Sequence, residues 1–332
     1  MITFNRQEII DNYQYIYKKR NEIEKIADDM VEKGFDYLFF TSSGGSMAMM
    51  DPFVFYLNQL SDIKTEGMLS ADYLILDNRK ISDKTIAFLT SKSGDTKETV
   101  DAAKKLKEKG VRIFSAVGVE DSVLESLSDD CVVYKSGRPQ ELIFYILIFR
   151  IMNKMGYFED YEDFIDNLEK LGEDLADVRI AADEKCIDYA RKYCKEPYNI
   201  WIGSGDLWPT TYSYSMCVLE ESQWIRTKSV RSPEFFHGTI ELVEDDVCVT
   251  LVTGEGPTRA QDERVKNFVE KYSSKFTCFD TKDYDMPHIK EKYRQYLSPV
   301  VMNAVLQRIS KNIEVITDHS LDIRRYYRKL EY

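Results

Sequence analysis

Two loops rich in serine and glycine carry groups that could bind a phosphate. The first serine loop covers residues 42–46 (SSGGS), the second serine loop covers residues 91–96 (SKSGDT), and each follows an apolar run. Glycine lets the backbone approach a ligand closely, and serine and threonine hydroxyls donate hydrogen bonds without adding charge. If a helix begins at such a loop, its free N–H groups and its dipole also favour an anion. The pattern predicts a phosphate site; the alternative is a pair of ordinary turns with helix caps.

A glutamate and a histidine in the second half of the chain could transfer protons. Glu221 follows Glu220 at the end of an apolar stretch, and His237 lies in the aromatic segment 233–238 (PEFFHG). A glutamate shielded from water can accept a carbon-bound proton, and a histidine can both donate and accept a proton near neutral pH. The alternatives are a surface carboxylate and a histidine that caps the next helix. Glu220 is the rival base, although neighbouring residues on a helix point about 100° apart.

Alternating strands and helices are predicted to position these residues in the first half of the chain. Amphipathic patterns predict one or two helices over 6–33 and a further helix over 97–109, and an apolar stretch predicts a long buried helix over 139–156. Strands are indicated by short apolar runs at residues 36–40, 71–76, 85–90, 111–117 and 131–134. Strand and helix in alternation predict right-handed βαβ units and a parallel sheet, in which ligands bind beyond the carboxyl ends of the strands.

The same order of elements restarts in the second half. Strands and helices are predicted in turn at residues 199–202, 209–227, 247–252, 258–272, 276–279 and 291–311. The first of these strands ends in GSGD at residues 203–206, which is again a glycine and serine loop before a helix. The sequence therefore predicts two tandem copies of one α/β sandwich.

The predicted organisation has two domains and two helical segments. The boundaries are 1–34 for an N-terminal helical segment, 35–156 for the first domain, 157–196 for a helical connection, and 197–332 for the second domain with a C-terminal tail. The first domain contains both serine loops, and the second contains the candidate glutamate and histidine.

The composition argues against several classes of protein. The 332 residues include 45 Lys+Arg and 57 Asp+Glu, and the net charge of −12 argues against nucleic acid or an anionic membrane as a partner. No stretch approaches the roughly 18 apolar residues of a membrane helix, and the N-terminus lacks a signal-peptide pattern. Six scattered cysteines and three histidines indicate a cytoplasmic protein without a metal centre. Neither serine loop has the Walker or GxGxxG pattern, so no nucleotide or NAD cofactor is expected.

The loops together resemble those of a known family. The second serine loop, SKSGDT, resembles the Ser-x-Ser-Gly-(Asp/Glu)-Thr signature of the sugar isomerase (SIS) family, and residues 43–46 (SGGS) resemble its first phosphate loop. Residues 203–206 resemble the start of a second SIS domain. The resemblance extends from about residue 35 to the end of the chain, as in the isomerase half of glucosamine-6-phosphate synthase and its deglycase relatives. It implies an α/β fold of two tandem three-layer α/β/α SIS domains with parallel sheets.

The resemblance also implies roles for particular residues. In that group a catalytic glutamate precedes a catalytic His-Gly pair by sixteen positions, and Glu221 matches His237-Gly238 at this spacing. Both are therefore expected to be catalytic. A homodimer is implied as well, with active sites at the subunit interface and the histidine contributed by the partner. The residues implied to surround the phosphate and sugar are Ser43, Gly45, Ser46, Ser91, Lys92, Ser93 and Thr96.

The C-terminal tail departs from the synthase pattern. The synthase carries a catalytic lysine in its last loop, and Arg325 stands near that position here. An arginine stays protonated and is a poor Schiff-base amine, so we expect Arg325 to bind an anion or a substrate carboxylate. His319 is a second candidate for lining the site, the alternative being an exposed tail histidine. His288, in a polar stretch, is expected at the surface.

The resemblance is greatest to the fructosamine 6-phosphate deglycases. It implies cleavage of a phosphorylated Amadori product, such as fructoselysine 6-phosphate, with water into glucose 6-phosphate and a free amino acid. Proton transfer through an enaminol would suffice, with no metal and no cofactor. One alternative is an aldose–ketose or amino-sugar phosphate isomerase or deaminase of the same family. A second is a sugar-phosphate sensor without turnover, which would not need the Glu/His pair. The amino acid that is released remains open.

Overall fold

The chain divides into two compact units. The computed structural model describes residues 2–76, 78–135, 139–327 and 329–330. The first unit is Arg6–Glu173, and the second unit is Asp174–Tyr332 together with Met1–Asn5. The division falls inside the segment 157–196, for which the sequence predicts a helical connection. Within the described ranges, no helix has the length and apolar character needed to cross a bilayer.

The first unit is built on a five-stranded parallel sheet with the strand order β2-β1-β3-β4-β5. The strands are β1 (Tyr37–Ser42), β2 (Thr65–Leu69), β3 (Thr85–Ser91), β4 (Arg112–Val117) and β5 (Asp130–Val133). The helices are α1 (Arg6–Tyr17), α2 (Arg20–Lys33), α3 (Gly44–Leu60), α4 (Ser70–Ile75), α5 (Lys97–Glu108), α6 (Val123–Leu127), α7 (Gln140–Lys154) and α8 (Tyr161–Asn167). The long buried helix predicted over 139–156 is therefore confirmed as α7.

Helices cover both faces of the first sheet. On one face, Phe39 shares an apolar core with Ala103 of α5. On the other face, the ring centroids of Phe88 and Phe114 lie 6.0 Å apart, and Phe114 contacts Phe144 of α7 at 6.1 Å. Burial on both faces explains why every residue of β1 and β3 is buried. This is the three-layer α/β/α arrangement that the sequence predicts.

The prediction of a strand at residues 71–76 is wrong. These apolar residues lie in and just after helix α4, and the strand β2 precedes them. β2 is an edge strand that pairs only with β1, and its residues are at least partly exposed. An edge strand does not need a continuous apolar run, so the search for apolar runs missed β2 and selected α4. Within this run Tyr73 is fully buried, whereas Ile75 and Leu76 are exposed.

The second unit contains a four-stranded parallel sheet with the strand order β7-β6-β8-β9. The strands are β6 (Asn199–Gly203), β7 (Thr227–Arg231), β8 (Cys248–Thr253) and β9 (Phe276–Asp280). The helices are α9 (Leu171–Tyr193), which begins at the end of the first unit, α10 (Trp208–Ser213), α11 (Glu221–Gln223), α12 (Ser232–Phe235), α13 (Arg259–Tyr272), α14 (Glu291–Arg294) and α15 (Ser298–Thr317). A π-helical segment, Tyr214–Glu220, joins α10 to α11. Two parallel sheets, one in each unit, confirm the predicted fold class.

Two predicted helices of the second unit have different bounds in the structure. The helix predicted over 209–227 ends at Gln223, because Trp224 takes a left-handed conformation with φ 57° and ψ 26°. Edge strand β7 follows, at a place where the sequence predicts no strand. The helix predicted over 291–311 is divided into α14 and α15, and Pro299 in the first turn of α15 suits a new helix start.

Candidate functional site

The first serine loop joins the carboxyl end of β1 to the start of α3. Ser43 precedes the helix, and its hydroxyl makes no capping bond to the helix N–H groups. Gly44 has φ +52°, a left-handed conformation that favours glycine. The first turn of α3 contains no acidic residue. The free N–H groups of this turn are therefore available to an anion without competition from a neighbouring carboxylate.

The second serine loop joins β3 to α5 and is held in shape by its own contacts. The Ser91 hydroxyl accepts a hydrogen bond from the Gly94 N–H at 3.0 Å and lies 3.0 Å from the Thr96 hydroxyl. Gly94 has φ +68°, and a Cβ atom built there would lie 2.3 Å from the Cβ and Oγ atoms of Ser122. The loop is thus packed so closely that only glycine fits at this position.

The two serine loops lie at the same edge of the first sheet. β1 and β3 are hydrogen-bonded neighbours that run parallel, so both loops leave the sheet at its carboxyl edge. The Ser43 hydroxyl lies 3.4 Å from the Thr99 hydroxyl in the first turn of α5, and the Lys92 side chain is exposed. The predicted residues that this edge carries are Ser43, Gly45, Ser46, Ser91, Lys92, Ser93 and Thr96.

Glu221 lies where the π-helical segment ends and α11 begins. A π segment has a wider turn than an α-helix and therefore changes the direction in which the following residues point. Such segments are rare in proteins, and those that occur are often found at functional sites. Glu220 points elsewhere, because its exposed carboxylate accepts a hydrogen bond from the Thr227 hydroxyl at 2.5 Å. The structure thus gives the two neighbouring glutamates different surroundings.

The carboxylate of Glu221 forms an ion pair with the C-terminal tail. Arg324 Nε donates a hydrogen bond to Glu221 Oε1 at 2.8 Å, and the two side chains are 22% and 32% exposed. Sequence reasoning selected Arg325 in the tail and missed Arg324. Arg324 and Glu221 are 103 positions apart in the sequence, and no local pattern indicates their contact.

Arg325 and His319 both pack on Trp224. The guanidinium carbon of Arg325 lies 3.9 Å from the centroid of the indole ring, and the His319 ring lies 4.4 Å from it in an edge-on arrangement. Gln223 Nε2 donates to the carbonyl oxygen of His319 at 3.3 Å. His319 Nε2 is buried without a hydrogen-bond partner among the described residues. Both tail residues selected from sequence thus lie against the segment that carries Glu221.

His237 follows the short helix α12 and is exposed. Its backbone N–H donates to the Glu234 carbonyl oxygen at 3.0 Å, whereas its imidazole has no hydrogen bond or ion pair within the described part of the chain. The preceding Phe235 is fully buried, and Arg264 lies 4.0 Å from the ring centroid of Phe236. The aromatic residues anchor the backbone, and the histidine side chain is left accessible.

His288 contacts a buried carboxylate, that of Asp174. Its Nδ1 atom lies 2.7 Å from Oδ1 of Asp174, and the exposed fractions of the two side chains are 34% and 0%. The pKa of Asp174 is raised overall, because the effect of burial exceeds the opposing effect of the contact with His288. The pair fixes the loop before α14, and His288 itself is exposed, as the sequence predicts.

The loop after β6 in the second unit resembles a serine loop only in sequence. Gly205 has φ +53°, and a Cβ atom there would lie 2.3 Å from the Thr258 hydroxyl. The Asp206 side chain in this loop is 2% exposed. A buried carboxylate at this position disfavours a phosphate, because the two negative charges repel each other.

A second carboxylate reinforces this acidic character. Asp262, in the first turn of α13, is 1% exposed and accepts a hydrogen bond from the Ser232 hydroxyl at 2.5 Å. Burial raises its pKa to about 6. Among the described residues, no group of three or more His, Cys, Asp or Glu side chains could hold a metal ion.

Known proteins resemble this chain over part or nearly all of its length. The SIS domain family matches residues 36–152, a range that contains both serine loops. The fructosamine deglycase of Bacillus subtilis (strain 168) is 29% identical over 322 residues, which cover 95% of this chain and 98% of that protein. The fructoselysine 6-phosphate deglycase of Escherichia coli (strain K12) is 20% identical over 308 residues, which cover 92% of this chain and 89% of that protein. A crystal structure of a candidate phosphosugar isomerase from B. subtilis superposes with a TM-score of 0.90 and 27% identity, covering 94% of this chain and 97% of that one.

Proposed function

We propose that this chain, an enzyme that contains a sugar isomerase (SIS) domain, is a deglycase that cleaves a phosphorylated Amadori product with water. Similarity over nearly the full length of two deglycases supports a function of the deglycase or SIS sugar-phosphate isomerase kind. The finer proposal is that fructoselysine 6-phosphate, or a close analogue, yields glucose 6-phosphate and a free amino acid. The small-molecule sugar phosphate is the proposed ligand, with no nucleic acid or membrane partner.

The two serine loops are proposed to hold the 6-phosphate. They offer the hydroxyls of Ser43, Ser91 and Thr96 together with the N–H groups of two helix starts. The exposed Lys92 supplies one positive charge beside them. Neutral donors and a single cation suit a phosphate that must be released after each turnover.

The proposed chemistry consists of proton transfers and one addition of water. His237 moves a proton at the ring oxygen, which opens the sugar. Glu221 removes a proton from C1 while the C2 carbonyl oxygen gains a proton, and the product is an enaminol. Glu221 then returns the proton to C2, which leaves an iminium ion at C1. Water adds to C1, the C1–N bond breaks, and the amine departs with the bonding pair as the aldehyde of glucose 6-phosphate forms.

The observation that carries this proposal is the setting of Glu221. Its half-buried carboxylate follows a π-helical segment, has one oxygen bonded to Arg324, and precedes the accessible His237-Gly238 pair by sixteen positions. A carboxylate in this setting is oriented and partly shielded from water, as a base for a carbon-bound proton should be.

The assay for the proposal uses two adjacent glutamates as a matched pair. Purified protein is incubated with fructoselysine 6-phosphate, and glucose 6-phosphate and lysine are measured together. Glu221→Gln is expected to lower kcat by about 10²- to 10⁴-fold, the usual contribution of a positioned acid–base group. Glu220→Gln, which changes an exposed carboxylate bonded to Thr227, is expected to stay within about twofold of the wild-type rate.

The products decide between the proposal and its rivals. An isomerised sugar phosphate without free amine would identify an isomerase, and ammonia release from an amino-sugar phosphate would identify a deaminase. Binding without turnover would identify a sensor. A Glu221→Gln enzyme as fast as the wild type would remove Glu221 from the mechanism, and a slow Glu220→Gln enzyme would transfer the base role to Glu220.

We also propose a cytoplasmic homodimer in which His237 serves the active site of the partner subunit. The accessible imidazole, which has no partner in the described part of its own chain, supports this arrangement. Subunits carrying Glu221→Gln and subunits carrying His237→Asn are unfolded together, refolded as a mixture and assayed. If the residues come from different subunits, each mixed dimer regains one intact site, and an equal mixture recovers about a quarter of the wild-type activity. If both come from one subunit, the mixture stays inactive.

A further inference from the structure

The tail after α15 turns back toward the segment that carries Glu221. Asp318 takes a left-handed conformation with φ 51° and ends the helix. Glu314 stabilises the turn, because its carbonyl oxygen accepts the His319 N–H at 3.2 Å and its Oε1 atom accepts the Leu321 N–H at 2.9 Å. The path of the tail is therefore set before it reaches Arg324.

The guanidinium of Arg324 is held by the tail on one side and meets Glu221 on the other. Nη1 donates to the carbonyl oxygens of Leu321 and Ile323 at 2.6 and 2.9 Å, and Nε donates to Glu221 Oε1 at 2.8 Å. Oε2 of Glu221 makes no hydrogen bond among the described residues. One carboxylate oxygen is thus fixed and the other remains available.

Contacts on both sides of Arg324 fasten the tail to the same short segment. Trp224, three residues after Glu221, packs against the imidazole ring of His319 and the guanidinium of Arg325. Gln223 adds a hydrogen bond to the His319 carbonyl oxygen at 3.3 Å. His319 and Arg325 lie on either side of Arg324 in the tail, and Gln223 and Trp224 closely follow Glu221 in the segment. These contacts therefore limit the movement of both partners.

We propose that Arg324 is a positioning residue that orients Glu221 for proton abstraction through Oε2. This inference rests on the proposed role of Glu221 as the base. The fork of a guanidinium can bond the tail carbonyls and the carboxylate at once, whereas the ammonium of a lysine has a different reach and geometry. Arg324 acts through Glu221 and contributes no proton itself, since an arginine stays protonated.

The first test separates positioning from substrate binding by kcat and KM. Arg324→Ala is expected to lower kcat about 10- to 100-fold, the usual effect of a misplaced catalytic group, while KM changes less than about threefold. Arg324→Lys is expected to restore part of kcat. Arg191→Met is the matched control, because Arg191 is 69% exposed and lies 3.9 Å from its partner Asp188; its rate should equal that of the wild type. A rise in KM at unchanged kcat would overturn the proposal by making Arg324 a substrate ligand.

The second test uses chemical rescue, which a purely structural role would not show. Methylguanidine at millimolar concentration is expected to raise kcat of Arg324→Ala by filling the vacated position beside Glu221, and to leave Glu221→Gln inactive. No rescue of a folded Arg324→Ala protein would overturn the inference. Wild-type turnover by Arg324→Ala, with Glu221→Gln inactive, would overturn it and leave the proposed function intact. An active Glu221→Gln enzyme would instead overturn the proposed base.

Discussion

The two sheets end in carboxyl edges of opposite character. At the edge of the first sheet, hydroxyls and free helix N–H groups lie in the two serine loops, and α3 has no acid in its first turn. At the corresponding edge of the second sheet, the buried carboxylates of Asp206, Asp262 and Glu255 occupy the loops and helix starts. The first edge offers donors to an anion, and its nearby carboxylates, Asp95 and Glu98, are exposed. The second edge holds buried carboxylates.

The acidic edge is closed by partners within the chain. Arg294 forms two hydrogen bonds to the carboxylate of Glu255 at 2.9 and 2.7 Å, and Arg259 likewise forms two to Asp280 at 2.9 and 2.5 Å. In the described part of the chain, the predicted ligands of the first edge form no arginine–carboxylate pair, and this edge is therefore suited to an external anion. Two copies of one architecture thus present edges of different chemistry, and it is the side chains at a site, not the fold, on which function depends.

The largest expected effect concerns the closed edge, where substitutions should cost stability. The Arg294 and Glu255 side chains are 10% and 8% exposed. Arg294→Met leaves a buried carboxylate without its cation, and we expect the free energy of unfolding to fall by about 3–5 kcal/mol. Urea denaturation measures the change. A matched substitution at the exposed Arg191 should leave the unfolding midpoint nearly unchanged, and equal effects at both arginines would contradict the distinction.

The second prediction concerns Asp262 and the pH dependence of stability. Burial raises its pKa from 3.8 to about 6, so the unfolded chain loses this proton before the folded one does. The resulting stability is present below about pH 4 and is lost as the pH rises through 6. Relative to Asp262→Asn, the wild-type free energy of unfolding should fall by about 2 kcal/mol between pH 4 and 7.

Urea titrations at several pH values measure this difference. Ser91→Ala at the open edge is the control, because a hydroxyl does not titrate in this range and its variant should follow the wild-type pH profile. A difference in unfolding free energy between wild type and Asp262→Asn that stays constant from pH 4 to 7 would show that burial does not raise the pKa of Asp262.

The third prediction compares two glycines at the two edges. Gly94→Ala and Gly205→Ala both force a Cβ atom to within 2.3 Å of a neighbour at a positive φ, so each should lower stability by about 1–3 kcal/mol. Only Gly94→Ala should also raise KM for the sugar phosphate, by about 10-fold or more, because it deforms a loop proposed to bind phosphate. Steady-state kinetics on the folded fraction measures KM. An equal rise of KM in both variants would contradict the predicted difference between the two edges.

Much of the open edge could be predicted from local sequence. Each serine loop follows a fully buried strand, and its glycine at positive φ and its hydroxyl residues leave a recognisable pattern. The buried strands are continuous apolar runs because helices cover both faces of the sheet. The edge strands β2 and β7 lack this pattern, and both were missed for that reason.

The surroundings of Glu221 could be predicted only in part. The spacing to His237 is visible in the sequence, whereas the π-helical segment before Glu221 has no local signal in the residues Tyr214–Glu220. The contact with Arg324 joins residues 103 positions apart and depends on how the tail turns after Asp318. Tertiary contacts of this kind require the folded chain.

The most direct test of the central claim is a product analysis by NMR in D₂O. Wild-type protein is incubated with fructoselysine 6-phosphate, and lysine and glucose 6-phosphate are quantified in the same sample. We predict equimolar amounts of the two, with deuterium at C2 in part of the sugar because a proton is returned there from an exchangeable base. A sample without free lysine, whether the substrate is unchanged or only isomerised, would contradict the account.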